Sequence, residues 1–326
     1  MQLLLQSLFI IAGFTMLVKG ADWFVDGASG IAAKFGIPQL VIGLTIVAMG
    51  TSAPEAAVSI TAALKDNAGI TIGNILGSNI LNILIILGLT ALIIRVPVSK
   101  SVIRFDLPYM LGISFLLLIF GYTDNEIVFW EGIVLLLFFA VYIGYMCYIS
   151  IKSNAAKNCR EAELQKSSIS ESSTFHSKNT SLLKPLIMAI IGLALIILGS
   201  NITVNAATVI AQHIGMSERF IGLTIVALGT SLPELFTSVS AALKGKADIS
   251  IGNIVGSNIF NILFIVGAAS IITPIPFESR FIIDAFIAIL SGLVLLLLVL
   301  KTKTLEKWHG ILMLVLYGGY FCYLLQ

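Results

Sequence analysis

The sequence predicts an all-α polytopic membrane protein of ten transmembrane helices, arranged as two inverted five-helix repeats. Three observations predict it. The 326-residue chain is 58% hydrophobic and only 11% charged, with a mean hydropathy of +1.02, whereas soluble domains carry roughly 25% charge. Apolar runs of about 20 residues, each long enough to cross a hydrocarbon core of roughly 30 Å as a helix, recur along almost the whole chain. A long motif also occurs twice, in register and without a gap.

The apolar runs fall near residues 3–27, 37–63, 70–93, 106–121, 128–151, 184–210, 217–243, 248–272, 282–300 and 308–325. The first lacks a basic start and outlasts the h-region of a signal peptide, so it reads as a retained helix. Numbering the loops alternately puts every loop Lys and Arg on one side except Lys65, Arg219 and Arg280. By the positive-inside rule the richer side is cytoplasmic, which places both termini outside and the 152–183 loop inside. The expected location is the inner, cytoplasmic membrane. Cys147, Cys159 and Cys322 form no close-spaced pair, which argues against a disulfide framework or a zinc site.

The repeat joins Ile42–Asn82, IGLTIVAMGTSAPEAAVSITAALKDNAGITIGNILGSNILN, to Ile221–Asn261, IGLTIVALGTSLPELFTSVSAALKGKADISIGNIVGSNIFN, with about 28 of 41 positions identical. Shared composition would repeat Leu and Ile, but not GTS, PE and GSN in register. Five spans separate the copies, and an odd number of crossings turns the second upside down. Residues 1–151 are thus expected to form one repeat and 184–326 the other. The polar stretch 152–183 is expected to be a flexible cytoplasmic linker, too short for a regulatory domain of typical size. Asn179-Thr180-Ser181 fits a glycosylation acceptor, but on that face it would stay unmodified. Inverted repeats build many secondary transporters, with the substrate site near mid-membrane where the repeats meet.

Carboxylates inside spans are costly and need a reason. Glu55 and Glu234 lie about ten residues before the hairpin turns at Lys65 and Lys244, a rise of roughly 15 Å that brings each near the midplane. Asn79 and Asn258 lie about as far along the returning helices, so each hairpin should set a carboxylate facing amides. Pro54 and Pro233 precede the acids, and each removes a helical hydrogen bond and clashes with the carbonyl of Gly50 or Gly229. The helix should break there and turn backbone oxygens into a cavity, as discontinuous transporter helices do. The oxygen donors are then Glu55 and Glu234; the hydroxyls of Thr51, Ser52, Thr230, Ser231, Ser78 and Ser257; the amides of Asn74, Asn79, Asn82, Asn253, Asn258 and Asn261; and freed carbonyls. With no His or Cys in either motif, this all-oxygen set suits hard cations such as calcium. Two ionised glutamates neutralise one Ca2+, and sodium ions or protons could replace it at the same oxygens, which is the simplest chemical basis for antiport.

The paired G-T-S-x-P-E and G-N-I-x-G-S-N-I-x-N motifs resemble the two alpha-repeats of the calcium/cation antiporter superfamily, closest to prokaryotic sodium/calcium exchangers. The likeness spans nearly the whole chain, including KGADWFVDGAS and LGSNITVNAAT ahead of the two repeats. It implies a five-plus-five inverted fold in which the glutamates, the Thr-Ser pairs and the motif serines bind Na+ and Ca2+. It also implies that Ala48 and Ala227 offer backbone carbonyls to sodium, and that the first and sixth helices glide to open the site alternately. Where some relatives, including potassium-dependent exchangers, carry an aspartate, this chain has Asn261, mirroring Asn82. Potassium dependence is accordingly not expected.

The remaining signals read more plainly. Gly73/Gly77 and Gly252/Gly256 have the spacing of close helix contacts, expected within the monomer. Asp22 and Asp26 lie one turn apart and could extend a cation path, but the equivalent positions of the second half are the neutral Asn201 and Asn205, so they read as interfacial residues near Lys19. Asp124, Glu126 and Glu131 read as a solvated loop end, and His176, His213 and His309 stand isolated. No HExxH motif, aspartyl pair or nucleophile with a base lies near the glutamates, which argues against an enzyme. A passive cation channel is the remaining rival class. The expected partners are inorganic cations and the lipid bilayer, with no prosthetic group, nucleic acid or obligate protein partner.

Overall fold

The structure is a computed structural model describing residues 2–65, 68–167, 182–215 and 227–324. The helices are α1 (Gln2–Phe35), α2 (Gln39–Thr51), α3 (Ala53–Leu64), α4 (Gly69–Ile93), α5 (Val102–Asp124), α6 (Phe129–Ser167), α7 (Leu183–His213), α8 (Ala227–Thr230), α9 (Leu232–Leu243), α10 (Ala247–Ile272), α11 (Ser279–Thr302) and α12 (Lys307–Leu324). Seven of these are long and apolar enough to cross a bilayer alone. An eighth crossing is the bent pair α2/α3, and the shorter α9 and α12 complete the ten expected spans. Residues 168–181 of the expected linker 152–183, with Asn179-Thr180-Ser181 and His176, lie outside the described residues, as do Arg219 and the start of the second motif copy, 221–226. The helix expected to end near 151 instead continues to Ser167. The extension includes Ala155, Ala156, Glu161, Ala162 and Leu164, all strong helix formers.

Short antiparallel strands tie the loops at the helix ends. Strand β1 (Val96–Pro97) pairs with β4 (Thr304–Leu305), and β2 (Glu126–Ile127) pairs with β3 (Ile275–Pro276). Each pairing joins two loops that the alternating loop count puts on one face. The third helix of each half, α4 and α10, is the most enclosed of the spans. Each is flanked by the last helix of the opposite half, α4 by α12 and α10 by α6. The halves therefore interlock, and neither could bury its own motif alone.

Helices α1 and α7 lie against each other over most of their length through glycines. A methyl added to Gly20 would sit 2.8 Å from the Gly192 carbonyl oxygen, and one on Gly199 2.8 Å from that of Gly13. No Cβ tolerates such contacts, so only glycine lets the two backbones approach this closely. Gly252 and Gly256 likewise meet the backbone of α2 at Gly43 and Leu44, as expected of packing within one monomer, whereas Gly73 meets only the Phe281 ring and Gly77 has nothing within 4 Å, so the first pair makes no such contact.

Candidate cation site

The bend predicted from the prolines is present. Helices α2 and α3 meet at 50° across Ser52, which leaves helical geometry at φ −81°, ψ 9°. Ser231 repeats this at φ −91°, ψ 4° between α8 and α9. Pro54 and Pro233 then fall in the first turn of the restarted helix, where a missing N–H costs nothing. Two of the backbone oxygens expected to face a cation already accept hydrogen bonds. Gly229 O accepts the Ser200 hydroxyl at 2.6 Å, and Ala48 O accepts the Ser52 N–H at 3.0 Å and the Thr51 and Ser257 hydroxyls at 3.2 and 3.4 Å. In the second half the carbonyl that proline frees is thus covered by a small side chain of α7.

Glu55 and Glu234 are almost completely buried and lie close enough for each charge to act on the other. Each is held by the opposite half. Ser52 donates to Glu234 Oε1 at 2.9 Å, and Ser231 donates to Glu55 Oε1 at 3.3 Å. Thr230 also lies within reach of Glu55, as do Thr51 and Ser257 of Glu234. The second oxygen, Oε2, of each acid is buried without a partner.

The asparagines form two layers. Asn74 and Asn253 clamp their own hairpins, donating to the backbone oxygens of Glu55 and Glu234 and to Ser59 and Ser238. Asn79, Asn82, Asn258 and Asn261 make a ring across the pseudo-twofold. Asn79 and Asn258 donate to each other's backbone oxygens at 3.3 and 3.1 Å. Asn82 donates to Asn258 Oδ1 at 2.9 Å, and Asn261 to Asn79 Oδ1 at 3.0 Å. The expected amide-to-carboxylate pairing of Asn79 and Asn258 is thus replaced by amide-to-amide bonds between the halves. The ring leaves Asn82 Oδ1 and Asn261 Oδ1 buried without donors. Both residues open a π-helical turn, 82–87 and 261–266, a distortion common at functional positions. Ser78 and Ser257 are buried beside them. Ala48 is buried, and the backbone of Ala227 begins α8.

Four orphaned acceptors, two from carboxylates and two from amides, therefore come from mirror-related positions. A buried acceptor without a donor costs about 1–3 kcal/mol, a cost that coordination to a cation removes. Among the described residues no three His, Cys, Asp or Glu side chains converge, so the site carries two negative charges.

The Sodium/calcium exchanger protein family matches residues 5–148 and 184–326, most of the chain. The chain belongs to this family. It is 31% identical to the sodium/calcium exchanger MaX1 of Methanosarcina acetivorans over 96% of both chains. It is 38% identical to the inner membrane protein YrbG of Escherichia coli over 83% of this chain and 81% of that one. It overlays the sodium-calcium exchanger NCX_Mj with a TM-score of 0.82 at 31% identity, covering 99% of each. This exchanger-family chain is thus a multi-pass cation exchanger of that fold and no enzyme.

Two further acids, Asp106 buried and Asp284 half-buried, carry no signal in the sequence motifs of the exchanger. Asp106 on α5 accepts the Tyr142 hydroxyl of α6 at 3.4 Å, and Asp284 on α11 accepts that of Tyr320 on α12 at 3.0 Å. Both acids precede their tyrosine by 36 residues, a second internal match that the sequence held. They join the last two helices of each half. Asp22 and Asp26 pair with Lys244 and Lys246 rather than with Lys19. Glu131 caps the Val128 N–H, and His309 accepts the Glu306 N–H.

Proposed function

We propose that the chain exchanges Ca2+ for Na+ across the cytoplasmic membrane by alternating access, as a secondary active antiporter. The observation that carries this is the pair of buried carboxylates from inverted repeats. Each is oriented through Oε1 by the other half's serine and keeps Oε2 free for a cation. Calcium takes about six to eight oxygens. Glu55 and Glu234 would supply charge, Asn82 and Asn261 neutral oxygens, and Thr51, Ser52, Thr230, Ser231, Ser78 and Ser257 hydroxyls. The carbonyls of Ala48 and Ala227 would serve sodium, while Asn79 and Asn258 hold the ring in shape. Because one divalent ion and two monovalent ions neutralise the same two charges, they exclude each other, and an empty, unneutralised site resists crossing. That exclusion is what couples the fluxes.

The repeats are proposed to be 1–151 and 184–326, with 152–183 and the basic loops cytoplasmic and both termini outside. A proton-driven exchange is the second reading, favoured by the absence of a third carboxylate among the described residues: two protons neutralise the pair as fully as one divalent ion. The test is labelled Ca2+ uptake into vesicles of purified protein under imposed sodium, proton or potassium gradients. Uptake driven by sodium alone supports the first reading, and uptake driven by pH without sodium replaces it with the second. Conductance without coupling refutes both.

A further inference from the structure

The two halves repeat in sequence, but the contacts around them do not. Helix α1 runs along α9, whereas the mirror-related pair α7 and α3 barely touch. The α1–α9 contact is built from residues that the other half lacks. Phe14 packs on Phe236 with ring centroids 5.7 Å apart, and their counterparts are Leu193 and Ala57. Ser240 donates to Asp22 at 2.7 Å, Lys244 binds Asp22 and Asp26 at 3.4 and 2.9 Å, and Lys246 binds Asp26 at 2.8 Å. The matching positions hold Thr61, Asn201, Asn205, Lys65 and Asn67, which cannot reproduce these three ion pairs. Asn201 and Asn205 are exposed.

Behind this contact, Thr237 lies one turn beyond Glu234, wholly buried and with its hydroxyl unpartnered, as is that of Ser250 on α10. Their counterparts differ: Val58 is 40% exposed, and Thr71 donates to the Ser59 carbonyl. These two hydroxyls are therefore sealed without partners, and neither of their counterparts is.

We infer that α1 and α9 form a closed, charge-locked gate on the face of the α9–α10 turn, made by Phe14, Asp22, Asp26, Phe236, Lys244 and Lys246. Behind it lies the shut half of the cation passage, bordered by Thr237. In an inverted-repeat transporter the opposite conformation exchanges the roles of the halves. There α7 would close on α3 with none of these charges. The lock adds stability to one conformation alone, so it biases the resting protein toward opening on the face of the α3–α4 turn. The inference rests on the alternating-access reading and gives its two states unequal weights.

The test uses the full chain in vesicles with Cys147, Cys159 and Cys322 replaced by Ser and one reporter, Thr61→Cys or Thr237→Cys. Labelling by an impermeant thiol reagent is followed from each face, and exchange is measured in the same vesicles. Neutralising the lock with D22N/D26N should raise Thr237→Cys labelling roughly three- to tenfold, the yield of a few half-exposed ion pairs, and slow that of Thr61→Cys. Exchanging the charges with D26K/K246D should move both rates back toward the parent. In the unsubstituted lock, concentrated choline chloride should screen the pairs and shift the rates as D22N/D26N does. Unchanged rates in D22N/D26N and in high salt would overturn the gate. Loss of coupled exchange in the parent protein, with labelling intact, would instead refute the transport reading.

Discussion

Replacing Glu234 with Gln tests the site most directly, because it removes one charge while keeping the side chain's shape. At an effective dielectric near 20, a carboxylate about 4 Å from a divalent charge contributes roughly 8 kcal/mol, and about 4 kcal/mol toward a monovalent one. Losing it penalises Ca2+ over Na+ by about 4 kcal/mol, roughly a thousandfold in selectivity. The amide oxygen remains a ligand and recovers part of this, leaving an expected loss of about a hundredfold or more in Ca2+ affinity. Ser52 can still donate to the amide oxygen, and the protein should fold, since Oε2 has no bond to lose and the backbone oxygen keeps its bond from Asn253. Calorimetric titration with Ca2+ and with Na+, beside a melting curve, separates lost binding from lost structure. Ca2+ affinity within threefold of the parent in both E234Q and E55Q, with exchange intact, would refute the assignment of the two acids.

Other outcomes follow from single contacts. Asn79→Ala should strand the donor of Asn261 and take the Asn79 amide from the Asn258 carbonyl, destabilising the protein by about 1–3 kcal/mol and lowering its melting temperature in detergent. Ser52→Ala should weaken Ca2+ binding more than Ser231→Ala, because the bond lost is 2.9 Å rather than 3.3 Å; equal effects in a titration would count against the geometry. Gly192→Ala would set a methyl 2.7 Å from the Gly20 carbonyl oxygen, whereas Gly144→Ala meets nothing within 4 Å. The first should abolish transport and lower the melting temperature, and the second should do neither.

What the sequence determined alone follows from short-range rules. Span length and hydropathy are set by the bilayer, so ten crossings were legible even though α9 and α12 fall short as isolated helices. The bends at Ser52 and Ser231 were legible because proline acts on its own turn. Glu55 and Glu234 stood out because charge is costly in hydrocarbon. Pairings across the pseudo-twofold needed the tertiary structure. Ser52 with Glu234, Asn261 with Asn79 and Asp26 with Lys246 join residues more than 180 positions apart, and their partners depend on which faces of α4 and α10 meet. The same reason hid Asp106 and Asp284, whose tyrosines lie on the next helix. The packing of α1 along α9 but not of α7 along α3 was hidden most deeply. A duplicated motif predicts symmetry, and only the packed helices reveal where differing side chains break it.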